Sequence, residues 1–468
     1  MPPPLPQHHL LLLLHLHLLL LPFISSQPTT PITLSLHSPT PPTTSHTTTP
    51  LHTLSLLVSS SLSRAHHIKH HNHSKSTPPL STSPLYPHSY GGYSLSLSFG
   101  TPPQSLPLVF DTGSSLLWLP CTHSYLCLNC SFPNYPSKLP PFLPKLSLSS
   151  KLIGCKNPKC SWIHAPSFLS NCRYCPPDFP NCPQICPPYL LIYGSGSTAG
   201  ILMSETLHLP DLSIANFTFG CSVLSQRQPS GIAGFGRAPP SLPSQLRLDR
   251  FSYCLISRRF DDDSSASGSL VLGGPAEDSS DGSSSTPFLP PPAAAPPASS
   301  SYYYVGLRRI SVAGDESIKV SDASAPGGTI VDSGTTFTYV ARGLFEQVAR
   351  AVESHVGDRY ERDADVEAVT GLRPCFRVSG DLDGLPEMAL RFKGGADMDL
   401  PLQNCFSLVG DAGAACLMIV TDGSDAMENS GGPDVIIGSF QQQNYHMVFD
   451  LKRERLQFRR KDCLGTAT

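Results

Sequence analysis

The eight residues LVFDTGSS at positions 108–115 return in altered form as TIVDSGTT at positions 329–336. Both copies place an Asp after two apolar residues and before a hydroxyl residue, a Gly and two further hydroxyl residues. Two apolar residues and a Gly follow each copy further along the chain, at 232–234 and 436–438. An internal repeat of this kind predicts two related lobes, each of which contributes one Asp-containing turn.

Asp111 and Asp332 are the central residues of the two copies. A single Asp-Thr-Gly is also good turn chemistry, in which the Asp caps its own backbone. Two such turns in apolar surroundings are harder to explain in that way, because an unpaired carboxylate is costly there. Two carboxyls brought together share a proton, so one can activate a water molecule while the other donates to a substrate carbonyl. We therefore predict that Asp111 and Asp332 are a catalytic pair.

The residues next to each Asp are of types that would support such a pair. The glycine of each copy allows a close backbone approach, and the hydroxyl group after it can hydrogen-bond the carboxylate oxygens. Together with the hydroxyl residue directly after each Asp, the predicted supporting residues are Thr112, Gly113, Ser114, Ser333, Gly334 and Thr335.

Composition and periodicity favour an all-β fold. The chain has 49 Pro among 468 residues and only 14% charged residues, which is typical of a loop-rich β protein. Apolar and Ser residues alternate from Tyr93 to Phe99, as in a half-buried strand. Only residues 344–356 have a clear helical spacing of apolar residues. We predict an all-β fold of two related lobes.

Composition also divides the chain into segments. The expected organisation is a signal peptide (1–26), a largely disordered pro-segment (27–85), an N-terminal lobe (86–260) with a cysteine-rich insert (121–186), a low-complexity linker or surface loop (261–300), and a C-terminal lobe (301–468). Disorder is expected in the pro-segment because Ser, Thr, Pro and His predominate and acidic residues are absent. The same segment is open to a second interpretation, a leader that has no role of its own.

Charge and hydropathy exclude several classes of partner. The net charge of the chain is −3, and the sequence lacks the basic clusters that are typical of nucleic-acid-binding proteins. No stretch of 18 uninterrupted apolar residues follows the leucine run at 10–21, so stable membrane insertion is not expected. Fifteen cysteines indicate an oxidising compartment. A monomer on the secretory route is expected.

The two Asp turns, with YGSGS at 193–197 and IGSFQQQN at 437–444, closely resemble the pepsin family of aspartic proteases. Within that family the chain is similar to the plant, cysteine-rich, nepenthesin-like branch, over roughly residues 90–463. The resemblance implies a bilobal β fold with the active cleft between the two related lobes. It also implies hydrolysis of peptide bonds in protein or peptide substrates at acidic pH. It implies no metal and no organic cofactor. An extracellular (apoplast or cell wall) or vacuolar location is expected.

The resemblance also assigns a flap over the cleft. Tyr193 matches the tyrosine that the family carries on a β-hairpin flap, with Gly194 and Ser195 at the hairpin tip. Ser195 stands where the branch usually has an acidic residue. Trp118 matches the tryptophan whose indole supports the flap tyrosine, although an ordinary buried aromatic residue is the alternative.

Nine of the cysteines lie between positions 121 and 186, and they include two Cys-x-x-Cys pairs that could in principle bind zinc. The Pro-rich surroundings and the leader favour disulfides, whose pairing within the insert stays open. Because 15 is odd, at least one thiol is unpaired. Similar proteins carry an aromatic residue at the position of Cys405, which makes Cys405 the candidate and leaves Cys375 to pair with Cys416.

Two further expectations concern glycosylation and function. Asn-x-Ser/Thr acceptors occur at Asn72, Asn129 and Asn216, and Asn216 is the strongest candidate. The main alternative function is a catalytically inactive binding or inhibitor protein with a pepsin-like fold. A disulfide-rich wall or adhesion protein would explain the composition but neither Asp repeat.

Overall fold

The computed structural model describes residues 31–37, 50–69 and 92–463, with gaps in the last range at 131–139, 165–183, 194–195, 229, 258–266, 275–281, 294, 296, 315, 321–326, 410–412 and 423–431. The predicted signal peptide lies outside these residues. The described part is mostly β-sheet, arranged in two lobes with few helices, as the sequence predicts. None of its helices is both long enough and apolar enough to cross a membrane.

Within the described residues of the leader, strand β1 (Ile32–His37) and helix α1 (Pro50–Lys69) precede the first lobe. The described residues of the first lobe form one short helix, α2 (Leu242–Gln245), and ten strands: β2 (Ser94–Phe99), β3 (Gln104–Asp111), β4 (Trp118–Pro120), β5 (Leu126–Leu128), β6 (Lys151–Leu152), β7 (Tyr189–Tyr193), β8 (Gly196–Leu209), β9 (Leu212–Gln226), β10 (Gly231–Gly234) and β11 (Arg250–Cys254).

Strands β12 (Ser267–Leu272) and β13 (Ser284–Leu289) connect the lobes. The second lobe adds the strands β14 (Tyr304–Val305), β15 (Leu307–Val312), β16 (Glu316–Lys319), β17 (Thr329–Val331), β18 (Thr338–Val340), β19 (Cys375–Arg377), β20 (Met388–Phe392), β21 (Asp397–Leu400), β22 (Phe406–Val409), β23 (Ala414–Leu417), β24 (Ile419–Val420), β25 (Val435–Ile437), β26 (Tyr445–Asp450) and β27 (Arg455–Arg460). Its helices are α3 (Arg342–Val356), α4 (Ala364–Thr370) and α5 (Leu402–Cys405). Four short 3-10 helices complete the described elements, at Pro144–Leu146, Pro158–Trp162, Pro297–Ser301 and Gly357–Arg359.

The alternation at the start of the first lobe forms strand β2 as predicted. Leu95, Leu97 and Phe99 are buried, whereas Ser96 between them is exposed. The predicted helix at 344–356 is α3, and Val348 and Val352 are fully buried on its inner face. Both elements follow from the rule that one apolar face must be covered by the core.

The sequence repeat is a structural repeat. Strand β3 pairs in parallel with β10, and β17 pairs in parallel with β25. In each lobe the Asp turn therefore lies beside the apolar–apolar–Gly segment that follows it in the sequence. A Cβ on Gly234 would come 2.4 Å from the Ser115 carbonyl oxygen, and one on Gly438 would come 2.6 Å from that of Thr336. Only glycine fits this close backbone contact.

A six-stranded antiparallel part of the large sheet, in the order β1-β12-β11-β26-β27-β13, joins the two lobes and the leader. The expectation of a linker or surface loop over 261–300 is wrong at two places, since β12 and β13 are members of this sheet. Their Ser-rich composition conceals short alternating stretches. Leu270 and Leu272 of β12 are fully buried, and so is Thr286 of β13.

The expectation that residues 27–85 are largely disordered is wrong for β1 and α1. Strand β1 pairs with β12 along its whole length and buries Ile32, Leu34 and Leu36. Helix α1 starts at a proline, which is favourable in a first helical turn. Its buried face then packs on an apolar cluster of the second lobe that includes Phe337, Tyr339 and Ile436.

Five disulfides join described cysteines: Cys121–Cys221, Cys127–Cys130, Cys160–Cys186, Cys254–Cys463 and Cys375–Cys416. Cys375 and Cys416 are the pair that the resemblance suggests. Cys155 is also disulfide-bonded. Cys405 is buried and carries a free thiol, and burial raises the pKa of that thiol.

Candidate active site

The two Asp turns form matching arrangements at the interface between the lobes. The N–H of Gly113 donates to Asp111 Oδ1 (2.9 Å), and the Ser114 hydroxyl donates to Asp111 Oδ2 (2.7 Å). In the second turn Gly334 and Thr335 make the same bonds to Asp332, at 2.9 and 2.6 Å. Each carboxylate is thereby fixed by two hydrogen bonds from its own turn.

The glycines determine how closely the carboxyls approach. A Cβ on Gly113 would come 2.4 Å from Asp332 Oδ1, and a Cβ on Gly334 would come 2.4 Å from Asp111 Oδ1. Any other residue at either position would push the opposite carboxylate away. The repeat of glycine in the two turns is therefore a requirement of the pair and not only of each turn.

Thr112 and Ser333 link the two turns by exchanging hydrogen bonds across the lobe interface. The N–H of Thr112 donates to Ser333 Oγ (3.0 Å), and the N–H of Ser333 donates to Thr112 Oγ1 (2.9 Å). The Thr112 hydroxyl also donates to the Val331 carbonyl, and the Ser333 hydroxyl donates to the Phe110 carbonyl, each in the opposite lobe. Both residues are fully buried. This exchange fixes the distance and orientation of the two Asp turns.

Strands β7 and β8 form the hairpin that the resemblance assigns as a flap, and Tyr193 is the last residue of β7. The indole N–H of Trp118 donates to the Tyr193 hydroxyl (2.9 Å), and Trp118 is fully buried. Burial raises the pKa of Tyr193, and so does the nearby charge of Asp111. Tyr193 therefore stays a neutral phenol next to the pair. Gly194 and Ser195 lie outside the described residues.

Arg64 of α1 occupies the space between the two carboxylates. Its Nη2 donates to Asp111 Oδ1 (2.6 Å) and to Asp332 Oδ1 (3.0 Å), and its Nε donates to Asp332 Oδ2 (2.6 Å). The Arg64 side chain is 13% exposed, whereas those of Asp111 and Asp332 are 1% and 0% exposed. In this conformation the leader closes the site.

The ionisation of the pair reflects burial and the guanidinium together. Burial raises the pKa of Asp111, and the charge of Asp332 adds to that increase although Arg64 opposes it. For Asp332 burial acts in the same direction, but the charge and hydrogen bond of Arg64, with bonds from Thr335 and Gly334, lower the pKa below its usual range. Burial would lower the pKa of Arg64, but the two carboxylates outweigh it and raise the pKa, so the guanidinium stays charged.

The sequence reasoning missed Arg64, although two signals pointed to it. It is the only Arg in the leader, in a segment without any acidic residue. The apolar residues around it are spaced by three and four, which predicts one face of a helix: Leu51, Leu54, Val58, Leu62, Ala65 and Ile68. The unusual Ser and His content directed attention to disorder instead.

Other predicted sites have clear positions in the structure. Asn216 is exposed with a positive φ of 58°, and its carbonyl accepts a hydrogen bond from Lys159. Asn129 precedes the bonded Cys130, whereas Asn72 lies outside the described residues. Cys160 and Cys186 lie close to His164, but their sulfurs are joined in a disulfide and so are not thiolate ligands.

Comparisons with known proteins identify the family of the chain. Two protein-family models match the chain: Xylanase inhibitor N-terminal over residues 93–274 and Xylanase inhibitor C-terminal over residues 302–460. A probable aspartyl protease of Arabidopsis thaliana is 34% identical over 416 residues, which cover 79% of this chain and 82% of that protein. The chain belongs to the pepsin-like aspartic protease family of plants.

A second relative is similar in sequence, and a solved structure is similar in fold. Aspartic proteinase nepenthesin-1 of Nepenthes gracilis is 30% identical over 380 residues, covering 80% of this chain and 78% of that one. The crystal structure of soybean basic 7S globulin superposes with a TM-score of 0.59 and covers 94% of this chain and 99% of its own. At 16% identity, that likeness concerns the fold alone.

Proposed function

We propose that the chain is the precursor of an aspartic endopeptidase, in which Asp111 and Asp332 hydrolyse peptide bonds at acidic pH and α1 holds the site closed. The observation that carries the proposal is the hydrogen-bonded exchange between Thr112 and Ser333 beneath two intact Asp turns. This exchange brings together two buried carboxyls, one from each lobe, as a pair that neither lobe could form alone. Tyr193 lies next to them on the flap.

The reaction follows from the shared proton of the pair. Once Arg64 leaves, the ionised carboxyl takes a proton from a water molecule that attacks the peptide carbonyl carbon. The protonated carboxyl donates to the carbonyl oxygen, which gives a tetrahedral intermediate. Proton transfer to the amide nitrogen then lets the C–N bond break. The flap excludes bulk water and orders the peptide during these steps.

Inhibition by the leader should depend on pH through the carboxyls. Arg64 acts to lower the pKa of Asp111 and of Asp332, so docking of α1 favours the ionised pair. The contribution through Asp332 is present above the ordinary pKa of that carboxyl and is lost only as the pH falls through its lowered value, whereas Asp111, whose pKa is raised, takes up a proton at a higher pH. Arg64 stays protonated throughout, because its own pKa is raised. Acid should therefore release the leader.

The second candidate is an inactive binding or inhibitor protein of the same fold, which the description of the matching family models favours. Loss of an Asp or distortion of either turn would support it. Instead, both carboxylates keep the same hydrogen bonds from Gly and from a hydroxyl. A protein that only binds a partner has no need of a cleft lined by paired carboxyls.

The test is to hold the full-length chain at pH 3 to 5 and then add an unfolded protein, with and without pepstatin. We expect internal peptide bonds to be cleaved and pepstatin to abolish that cleavage. The same chain kept near pH 7 should show little activity, since α1 remains docked. Absence of pepstatin-sensitive cleavage after the leader has been removed would favour the binding protein.

A further inference from the structure

Lys69, the last residue of α1, is buried to 2% exposure in the second lobe although its side chain is charged. Its Nζ donates to the Tyr339 hydroxyl (3.0 Å) and lies 4.9 Å from the centre of the Tyr339 ring. The Tyr339 hydroxyl in turn donates to Asp422 Oδ2 (3.0 Å). The Lys69 ammonium group is thus connected to the Asp422 carboxylate through the Tyr339 hydroxyl, and it also lies close to the ring of the same tyrosine.

The Asp434 carboxylate is a second acidic group near Lys69. Burial raises the pKa of Asp434, and the charge of Lys69 acts against that increase. A Cβ on Gly327 would come within 2.1 Å of the Asp434 carboxylate, and a Cβ on Gly432 would come 2.2 Å from Lys69 Cα. Glycine at both positions leaves room for the carboxylate on one side and for the lysine backbone on the other.

These groups lie within reach of a peptide in the cleft. Lys69 follows Arg64 by five residues on one helix, so it is roughly 7.5 Å further along the helix axis. An extended peptide rises about 3.3 Å per residue and covers that distance in two to three residues. Arg64 lies between the two Asp carboxylates, where the scissile bond of a substrate would lie. A substrate side chain two or three residues from that bond can therefore reach the position of the Lys69 ammonium.

We propose that Tyr339, Asp422 and Asp434 form a cation-binding subsite of the cleft that selects a Lys or Arg side chain in the substrate, two or three residues from the scissile bond. The proposal rests on the proposed peptidase function and adds a substrate class to it. In the precursor the leader fills the subsite with its own lysine. When α1 leaves, two carboxylates that are at least partly buried lose their cation, and a basic side chain of the substrate replaces it.

The test uses the leader-free enzyme near pH 5 and a pair of peptides that differ only by Lys or Met at one position. Peptides cleaved from an unfolded protein, sequenced by mass spectrometry, first locate the position with the greatest Lys and Arg enrichment. We expect the Lys peptide to have a kcat/KM about 10-fold or more above that of the Met peptide, because charged hydrogen bonds are among the stronger ones. The preference should fall towards unity in both Asp434→Asn and Asp422→Asn.

The matched control is Asp399→Asn, which removes a carboxylate exposed on β21 of the same lobe, and it should keep the Lys preference. An active enzyme without enrichment of basic residues two or three positions from the cleaved bond would overturn the subsite and leave the peptidase proposal intact. So would a preference that survives both Asn substitutions. Absence of any pepstatin-sensitive cleavage would overturn the peptidase proposal, and the subsite with it.

Discussion

Glycine at positions 113 and 334 sets the distance between the two carboxyls, since a Cβ at either position would collide with the opposite Asp. The hydroxyls at 112 and 333 then hold the turns together from below. Leaving either buried N–H without its acceptor would cost about 1–3 kcal/mol. At this scale the chemistry depends on small residues whose role is to place Asp111 and Asp332.

Tyr193 is the residue through which the flap meets the pair. In Tyr193→Ala we expect kcat/KM on peptide substrates to fall roughly 10- to 100-fold, because the flap no longer orders the substrate and excludes water. The fold should be retained, as judged by the midpoint of thermal unfolding. Tyr193→Phe keeps the ring and loses only the hydroxyl that Trp118 contacts, so its kcat/KM should lie between those of the wild type and Tyr193→Ala. Unchanged kinetics in Tyr193→Ala would remove Tyr193 from the site.

At the scale of elements, helix α1 is the part of the leader that contacts Asp111 and Asp332. It packs its apolar face on the second lobe and places Arg64 between the carboxylates. Strand β1 fixes the other end of the leader in the six-stranded sheet. The leader is therefore held at two points, one by backbone pairing and one by charge.

Arg64→Ala should raise the initial rate of the full-length chain at pH 5 to 6 by about 10-fold or more over wild type, since loss of one partner of a buried ion pair is strongly destabilising to the docked state. A fluorogenic peptide assay started without prior acid treatment measures this rate. Arg64→Lys keeps a positive charge but loses the planar guanidinium that contacts both carboxylates, so its rate should lie between those of wild type and Arg64→Ala. Equal rates for Arg64→Ala and wild type would show that α1 does not control the site.

The Asp turns could be predicted from the sequence because their chemistry is local: eight consecutive residues carry the carboxylate, its hydrogen-bond donors and the glycine. The Arg64 contacts could not be predicted in that way, because Asp111 lies 47 positions and Asp332 lies 268 positions further along the chain. Strands β1 and β12 were missed for a related reason. Their Ser- and Thr-rich alternation forms a stable strand only when the sheet covers its apolar face.

At the scale of the whole molecule, the proposed activity requires two lobes that hold one site between them. The six-stranded sheet joins the lobes through β11 and β26, and the disulfide Cys254–Cys463 reinforces that junction. One carboxyl comes from each lobe, so neither lobe should be active alone. The Asp111–Asp332 pair therefore forms only when the two lobes are assembled.

The most direct measurement compares wild type with Asp111→Asn and Asp332→Asn after the leader of each has been cut at a protease site inserted between residues 75 and 90. Cleavage of an unfolded protein at pH 3 to 5 should fall by about 10³-fold or more in either variant, because an amide cannot relay the proton. Asp358→Asn, at an exposed position, serves as the control and should keep full activity. Near-normal turnover in either single variant, beside an active wild type, would contradict the assignment of the pair.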